Sequence, residues 1–197
     1  MADTSDNQSE EGGSIPTPTL HNAKIAYPLF YKETNNSPPT SPLQLRFSVC
    51  SLSKAKELNR LWHSRLPVFR QTISKICYVA HYMGIYYACA IWSNPSSAMV
   101  DQSWMELKRM AISPDAPKNT ASRMIGFMVR DIKNKFDEVP NLISYQDPMV
   151  HSGTIYRASG WACTGERKSG GFSNTKVRFR HKDQAPGPKI RWEKRIT

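Results

Sequence analysis

A twenty-residue stretch, 142–161, constrains the fold of this chain more than any other segment. It opens with a short apolar run, Leu142–Tyr145, which predicts a buried strand, and Pro148 then removes a backbone donor and ends that strand. Four residues at helical spacing follow: Val150, Thr154, Ile155 and Ala158. Gly160 is placed to end this helix, and Trp161 begins a new apolar segment. The predicted unit is a strand, a polar corner, a short helix and a strand.

Asp147 stands at the carboxyl end of the predicted strand, which is where ligands bind in α/β sheets. His151, Ser152 and Tyr156 follow within ten residues, so several groups able to move protons or bind a polar ligand are concentrated at one corner. We therefore predict a functional site there. A structural interpretation stays open beside it, in which Asp147 is a turn residue and Tyr156 is a core residue with its hydroxyl at the rim.

The length of 197 residues allows one domain with a full core and unstructured ends. Residues 1–42 are rich in Ser, Thr and Pro and can bury too little to offset the entropy of ordering, so we predict a mostly disordered segment. Residues 43–182 are predicted to form the folded catalytic domain, and residues 183–197 a basic tail.

The net charge of +11 is the strongest compositional signal, and it is unevenly distributed. Residues 1–23 carry four acids and no Lys or Arg, whereas residues 166–197 carry ten basic residues and three acids. Aromatic side chains are interleaved with these basic residues: Phe172, Phe179 and Trp192. The pattern suits a polyanion, and nucleic acid is the leading candidate, with Arg178 and Arg180 as predicted contacts. A solvated basic face is the alternative.

No apolar run approaches the roughly 18 residues that a membrane helix needs, and the acidic N-terminus lacks the pattern of a signal peptide. We therefore expect a cytoplasmic protein without a membrane partner. The four cysteines lie far apart and form no Cys-x-x-Cys pair: Cys50, Cys77, Cys89 and Cys163. Reduced core thiols are expected, and a zinc site is not.

Strands and helices alternate along the rest of the predicted domain. Alternating or β-rich apolar runs predict strands at Leu43–Val49, Ile76–Tyr82, Ile85–Trp92, Trp104–Ile112 and Thr175–Arg180. Ser53 is interpreted as the N-cap of a helix that ends near Pro67. Apolar residues with a 3.6-residue period predict the main helix between Met124 and Phe136. This order predicts a mixed α/β sheet, flanked by helices, with one central crossover.

The start of the main helix favours an anion. The exposed amide groups and the macrodipole make a helix start positive, so Asp or Glu is normally found there. This start is flanked by Lys118 and Arg123 instead. The charges fit a bound anion, such as a phosphate, at Asn119–Ser122, a range that includes Thr120 and Ala121. Long basic side chains that simply point to solvent are the alternative.

The order of elements resembles the GNAT acyltransferase fold, in which the loop before the main helix cradles the pyrophosphate of coenzyme A. The corresponding stretch here, residues 116–121, has none of the glycines of the usual signature. The resemblance implies a GNAT-like mixed central sheet and a cofactor contact at four residues: Lys118, Asn119, Thr120 and Ala121.

Residues 55–180 more closely resemble the Mom family of phage DNA-modification proteins. The motifs that carry the resemblance occur in the order of the family: Trp62–Arg65, Leu107–Met110, Pro117–Ser122, Ser144–Asp147, His151–Trp161 and Thr164–Gly165. Mom proteins place a carbamoylmethyl group on the exocyclic amine of adenine in phage DNA, which masks sites from host restriction. The resemblance implies a transferase with this activity.

The same resemblance implies a set of active-site residues: His63, Arg109, Ser122, Asp147 and Tyr156. We expect Asp147 to accept a hydrogen bond from the adenine amine, and Tyr156 or His63 to relay the proton that the amine loses. The target base is paired in double-stranded DNA, the expected partner, so we expect it to be flipped out. The predicted substrate contacts are Arg65, Tyr145 and Trp161. The cofactor stays open between a coenzyme A derivative and iron, and a homodimer is among the options for the oligomeric state.

Two other classes of function stay open. A GNAT enzyme that acylates an amine on a protein or small molecule would bind coenzyme A tightly and depend little on DNA. A non-catalytic nucleic-acid-binding protein would tolerate replacement of Asp147 and Tyr156 without loss of function.

Overall fold

The computed structural model of the protein describes residues 37–167 and 187–197. Its elements have these bounds: a 3₁₀ helix Pro42–Gln44, β1 Arg46–Cys50, α1 Leu52–Trp62, β2 Ile76–Tyr82, β3 Ile85–Ser93, β4 Met105–Ile112, α2 Thr120–Lys135, β5 Asn141–Gln146, α3 Thr154–Ala158, β6 Ala162–Arg167 and β7 Lys189–Arg195. The predicted disorder of residues 1–42 falls, up to residue 36, outside the described ranges. The predicted strand Thr175–Arg180, with Arg178, also lies outside them.

One mixed sheet organises the described residues. Its strand order is β1-β2-β3-β4-β5-β7-β6, and neighbouring strands are antiparallel except for β4 and β5. Helix α2 connects these two parallel strands. The structure therefore confirms the mixed α/β class and the predicted central crossover.

Each face of the sheet has its own apolar core. On one face, Ala55 and Leu58 of α1 pack against side chains of β2, β3 and β4. On the other face, α2 contributes four fully buried apolar side chains: Met124, Ile125, Met128 and Ile132. Burying one such side chain stabilises the fold by about 1.5–3 kcal/mol, so both helices hold the sheet firmly.

The parallel strands separate towards their carboxyl ends. They pair over only three residues, Met105–Leu107 with Leu142–Ser144. Beyond this ladder β4 continues to Ile112 and β5 continues to Gln146. The sheet is therefore open between the carboxyl-terminal ends of its two central strands, which is where ligands bind in α/β sheets.

A β-bulge marks the point where this opening begins. Lys108 is an extra residue in β4, opposite the step from Ile91 to Trp92 in β3. A regular strand would place Leu107 and Ala111 on the same face. Here Leu107 joins the core under α2, whereas Ala111 joins the core under α1. The bulge therefore shifts the alternation of β4 side chains, so that Ala111 faces α1 whereas Met110 and Ile112 face α2.

Two predicted boundaries near residue 50 are corrected. The strand predicted from Leu43 begins only with β1, because Pro42 starts a 3₁₀ turn and leaves Leu43 exposed. The N-cap of α1 is Ser51 and not Ser53, since the Ser51 hydroxyl accepts a hydrogen bond from the Lys54 amide at 3.2 Å.

The short helix after β5 begins later than predicted. Val150 belongs to the turn that follows Asp147, since its amide donates to the Asp147 carbonyl at 3.1 Å. Helix α3 starts at Thr154, after Gly153 has adopted a left-handed conformation with φ +75°. Val150 therefore does not belong to the helical face that the spacing predicts.

Strand β7 corrects the predicted basic tail at residues 183–197. Residues 189–195 form a strand inside the sheet, between β5 and β6. Ile190 and Trp192 alternate with charged residues and face the core under α2. The segment is a strand because this alternation gives it one apolar face to bury.

Within the described ranges, no helix is long and apolar enough to cross a membrane. All four cysteines are free thiols. Cys77 and Cys89 are buried as expected of core thiols, whereas Cys50 is half-buried and Cys163 is exposed.

Candidate active site

Asp147 follows β5 directly, at the predicted end of the strand. Its carbonyl accepts hydrogen bonds from the amides of Val150 at 3.1 Å and His151 at 3.0 Å. Its carboxylate oxygen Oδ1 accepts a third, from the Met149 amide at 3.1 Å. Asp147 is therefore a turn residue, as the structural interpretation proposed, but this role occupies only one of its two carboxylate oxygens.

The second carboxylate oxygen, Oδ2, meets two cations from distant parts of the sequence. Lys189 Nζ lies 2.8 Å from it and Arg65 Nη1 lies 3.4 Å from it. The side chains of Asp147, Lys189 and Arg65 are 16%, 25% and 41% exposed. The Lys189 ammonium, followed by the Met149 amide and Arg65, holds the pKa of the Asp147 carboxyl below its ordinary value. The corner thus carries an ionised carboxylate within reach of solvent.

His63 ends α1 near the same corner. Burial, followed by the nearby positive charges of Arg109 and His151, lowers its pKa to about 4. Its Nδ1 accepts a hydrogen bond from the Leu66 amide at 3.3 Å, which places the ring proton on Nε2. His63 is therefore a neutral donor at physiological pH, whereas the predicted proton relay would first require it to accept a proton.

Arg109 lies just past the bulge in β4, on the α1 side of the sheet. Its guanidinium stands over the Phe69 ring at 5.5 Å and donates to the Lys108 carbonyl at 2.7 Å. Its buried Nε has no hydrogen-bond acceptor within the described residues. Burial also lowers the pKa of Arg109. A buried N–H without an acceptor costs free energy, so this donor is available for a hydrogen bond to an anionic or carbonyl oxygen.

Two side chains, of Trp192 and Gln146, and the backbone of Gly153 pack together behind the corner. Trp192 Nε1 of β7 donates to Gln146 Oε1 at 2.7 Å, and Gln146 Nε2 donates to the carbonyl of His151. Gly153 packs so closely that a Cβ there would stand 2.5 Å from both Gln146 and Trp192. The turn that carries Asp147 is thus tied to β7 by its neighbour Gln146.

Tyr156 lies on the opposite side of β5 from Asp147. Its hydroxyl is 2.7 Å from the Ser144 hydroxyl, and its ring stacks on Trp192 at 5.3 Å. Burial raises the pKa of Tyr156. The tyrosine is a neutral core residue, as in the structural interpretation, but its hydroxyl is buried against Ser144 and does not lie at the rim.

Trp161 is also a core residue. It is 5% exposed and packs against Trp92 and Tyr156, with ring centroids 6.3 Å and 5.6 Å away. The prediction that it offers a stacking surface to a flipped base is corrected, because its faces are covered by other rings. Tyr145 is half-buried and pairs with Arg191 of β7, on the side of β5 that carries Asp147.

The N-terminus of α2 lies beside the opening of the sheet. Asn119 is the N-cap, in a left-handed conformation with φ +66°, and its side chain makes no capping hydrogen bond. The amide and hydroxyl of Thr120 both donate to the Pro117 carbonyl, at 3.2 Å and 2.7 Å. The first turn holds no acid. The amides of Ala121 and Ser122 have no partner inside the helix, so they are the ones able to face an anion.

Comparison with protein families decides the relationship of the chain. The model of the Mom protein family matches residues 90–195, which is more than half of the sequence. The chain belongs to the Mom family. The match runs from β3 to β7 and includes the corner at Asp147. No curated protein matches the sequence significantly.

Solved structures show the fold of this Mom-family chain. It is similar to a Bacillus subtilis acetyltransferase in complex with CoA, with a TM-score of 0.56 and 11% identity over 78% of this chain and 99% of that one. A GNAT family acetyltransferase from Elizabethkingia anophelis with acetyl-CoA bound gives 0.56 and 16%, over 77% and 98%. An IAA acetyltransferase from Bacillus cereus gives 0.55 and 15%, over 77% and 99%. The Mom-family chain therefore has a GNAT-like fold, as the order of elements predicted.

The predicted site residues of the Mom-family chain do not all lie together. Four lie around the corner on the side of α1: His63, Arg65, Arg109 and Asp147. Tyr156 and Trp161 lie in the aromatic core, and the hydroxyl of Ser122 turns back to the Asn119 carbonyl at 3.1 Å. Lys189 was missed, because residues 183–197 were interpreted as a tail.

The described residues do not fit an iron centre. No group of three or more His, Cys, Asp and Glu side chains is placed to hold a metal ion among them. The cations of Arg65 and Lys189 beside Asp147 would also repel a second positive charge.

Proposed function

We propose that the protein is a DNA-modifying transferase that places a carbamoylmethyl group on the exocyclic amine of adenine. The observation that supports this most is the Mom family match, because it runs through both strands that border the opening and through the acidic corner. In a phage, this modification would mask restriction sites from the host.

The corner suits an amine that must be made nucleophilic. The lone pair of the adenine amine is delocalised into the ring, so the reaction needs exact placement and an acceptor for a proton. Asp147 is ionised, and a carboxylate has more acceptor sites than its three neighbours use. Asp147 is therefore the residue to which we assign the hydrogen bond from the adenine amine. The Nε2 proton of His63 is a donor, and Arg109 carries an unused N–H, so both suit the carbonyl oxygen of the incoming group.

Binding of DNA would use the exposed cation of the corner. Arg65 is 41% exposed and lies 3.4 Å from Asp147, a distance at which it is held only loosely. A backbone phosphate beside a flipped nucleotide can therefore compete for it. Tyr145 is the aromatic side chain on this side of β5 that we assign to the base. The predicted contacts Arg178 and Arg180 lie outside the described residues.

A coenzyme A derivative fits the start of α2. Lys118 and the amides of Ala121 and Ser122 would hold its pyrophosphate, since no acid and no side-chain cap competes for that position. When bound, it would supply an activated thioester carbon. Attack of an amine on a thioester gives an amide, however, whereas a carbamoylmethyl group is joined through a saturated carbon. The donor chemistry is therefore part of what must be measured.

The test is mass spectrometry of nucleosides from the DNA of cells that express the protein. We expect a new adenine nucleoside, heavier by a carbamoylmethyl group, with the parent protein and with the control Asp137→Asn, whose acid is exposed after α2. Asp147→Asn should give little or none. Unmodified DNA in the presence of folded parent protein, with the host donor pathway intact, would contradict the proposal.

The second candidate is a GNAT acyltransferase that acts on a protein or small-molecule amine, and the uncapped start of α2 favours it. It predicts binding of coenzyme A in a calorimeter without DNA, loss of that binding in Lys118→Glu, and an amide product. A modified nucleoside whose added group is attached through a methylene carbon would decide against it.

A further inference from the structure

Lys189 has no role in the function proposed so far, yet it makes the shortest contact to the key carboxylate. Its Nζ is 2.8 Å from Asp147 Oδ2, against 3.4 Å for Arg65. Its side chain is 25% exposed, which is less than the 41% of Arg65. One carboxylate oxygen thus has two cationic partners, one held closely and one held loosely.

We propose that Lys189 is the positioning residue of Asp147, and that the last strand of the sequence therefore belongs to the active site. This inference rests on the proposed function, because it assigns Asp147 to the substrate amine. Lys189 fixes the direction of the carboxylate, whereas Arg65 is the cation that leaves for a phosphate.

The pairing of β7 in the sheet fixes the backbone position of Lys189. Its neighbour Ile190 pairs with Gln146 in the antiparallel ladder, so Lys189 starts β7 directly beside the residue that precedes Asp147. Two residues after Ile190, Trp192 donates to Gln146 Oε1 at 2.7 Å. Strand β7 therefore holds the corner through two adjacent contacts, one to Gln146 and one to Asp147. A loop residue such as Arg65 has no such ladder behind it.

The groups that face the Asp147 carboxylate come from three elements. Lys189 comes from β7, Arg65 from the segment after α1, and the Met149 amide from the turn itself. The backbone amide of His151 donates to the Asp147 carbonyl at 3.0 Å and so keeps this residue at the corner. Among these groups, Lys189 contributes most to the lowered pKa of Asp147.

The test compares Lys189→Gln, which keeps a donor and removes the charge, with Lys189→Arg, which keeps the charge. Arg195→Ala is the matched control, a basic residue exposed on the same strand. Arg65→Ala is the contrasting variant. The measurements are the midpoint of the Asp147 carboxyl titration by NMR, kcat and KM for modification of duplex DNA, and the salt dependence of DNA binding.

For Lys189→Gln we expect the Asp147 midpoint to rise towards its ordinary value of about 3.9. The same variant should lose about 10- to 100-fold in kcat, with KM for DNA and the salt slope unchanged. Lys189→Arg should restore the midpoint and part of kcat. Arg65→Ala should instead weaken DNA binding and flatten the salt slope by up to about 0.9.

Three results would overturn the proposal. The first is an Asp147 midpoint that does not move in Lys189→Gln, and the second is a flatter salt slope in that variant, which would make Lys189 a phosphate contact. The third is a failure of Lys189→Gln to fold, since a positioning residue is not needed for folding. If the parent protein does not modify DNA at all, the proposed function fails, and the titration still judges the role of Lys189.

Discussion

The polar groups on the two sides of β5 differ in burial and in charge. On the α2 side, the hydroxyls of Ser144 and Tyr156 bond to each other at 2.7 Å inside a set of aromatic rings. On the α1 side, Asp147 bonds to two cations that solvent reaches. The buried pair is neutral and complete, whereas the charged group is open and keeps spare acceptor capacity. Residues of one sequence motif therefore have two kinds of role. Some stabilise the fold around the site, and others are accessible to a substrate.

This comparison predicts that changes on the buried side act on stability and that changes on the charged side act on rate. Gly153→Ala should show the largest effect of the first kind. Its Cβ would stand 2.5 Å from Gln146 and Trp192, and its φ of +75° disfavours any side chain. We expect a loss of about 2–5 kcal/mol in the free energy of unfolding, measured by urea denaturation.

The control for this variant is Gly126→Ala, in the middle of α2. There the nearest atom to a new Cβ is 3.7 Å away, on Arg130. Replacing a helical glycine by alanine should stabilise the protein by up to about 1 kcal/mol. Equal effects of the two substitutions would mean that the corner does not depend on close packing at Gly153.

Asp147→Asn should show the largest effect of the second kind. The substitution keeps the shape of the side chain, and its oxygen can still accept from the Met149 amide, so the turn should form. The substitution removes the negative charge that Lys189 and Arg65 neutralise. In the proposed function, the substrate amine would then meet a weaker hydrogen-bond acceptor. We expect the rate to fall by about 10²–10³, with little change in melting temperature. A stable and fully active variant would remove Asp147 from the mechanism.

Tyr156→Phe tests whether the aromatic side takes part in the chemistry. The substitution leaves the Ser144 hydroxyl, which is 1% exposed, without its partner. This should cost about 1–3 kcal/mol of stability, and the double variant with Ser144→Ala should recover part of the loss. Activity per folded molecule should stay close to that of the parent. A large loss of rate in a folded Tyr156→Phe variant would return the tyrosine to the mechanism.

For His63 we expect a change in the pH dependence of unfolding. Its pKa in the folded protein is about 4, below the ordinary value of 6.5, so the unfolded chain binds its proton first as the pH falls. The contribution is therefore fully present above pH 6.5 and is lost between pH 6.5 and 4. Denaturation of His63→Gln at a series of pH values should show a flatter curve in this window than that of the parent.

The elements that a local pattern defines were predictable from the sequence. Strand β5, the corner at Asp147 and the main helix follow from apolar periods and from Pro148, and all of them lie where the pattern put them. The start of α3 was not predictable in this way, because Gly153 adopts a left-handed conformation that the helical spacing of Val150 and Thr154 cannot indicate.

Contacts between distant segments were not predictable in this way. The bulge at Lys108 depends on the register with β3, and the pairing of Lys189 with Asp147 depends on β7 lying next to β5. The sequence nevertheless contains a pattern that indicates β7. Ile190 and Trp192 alternate with charged residues, as in a half-buried strand, although the high charge of the segment favours interpretation as a tail.

The place of β7 in the sheet has a consequence for how the protein is made. On the ribosome, β5 is synthesised more than 40 residues before the strand that pairs with its outer edge. Until residue 195 has emerged, β5 presents a row of unpaired amides and carbonyls, which is the kind of edge on which chains aggregate. Premature termination before Lys189 would therefore yield an incomplete sheet with an exposed edge that is prone to aggregation, and the corner at Asp147 would lack Lys189.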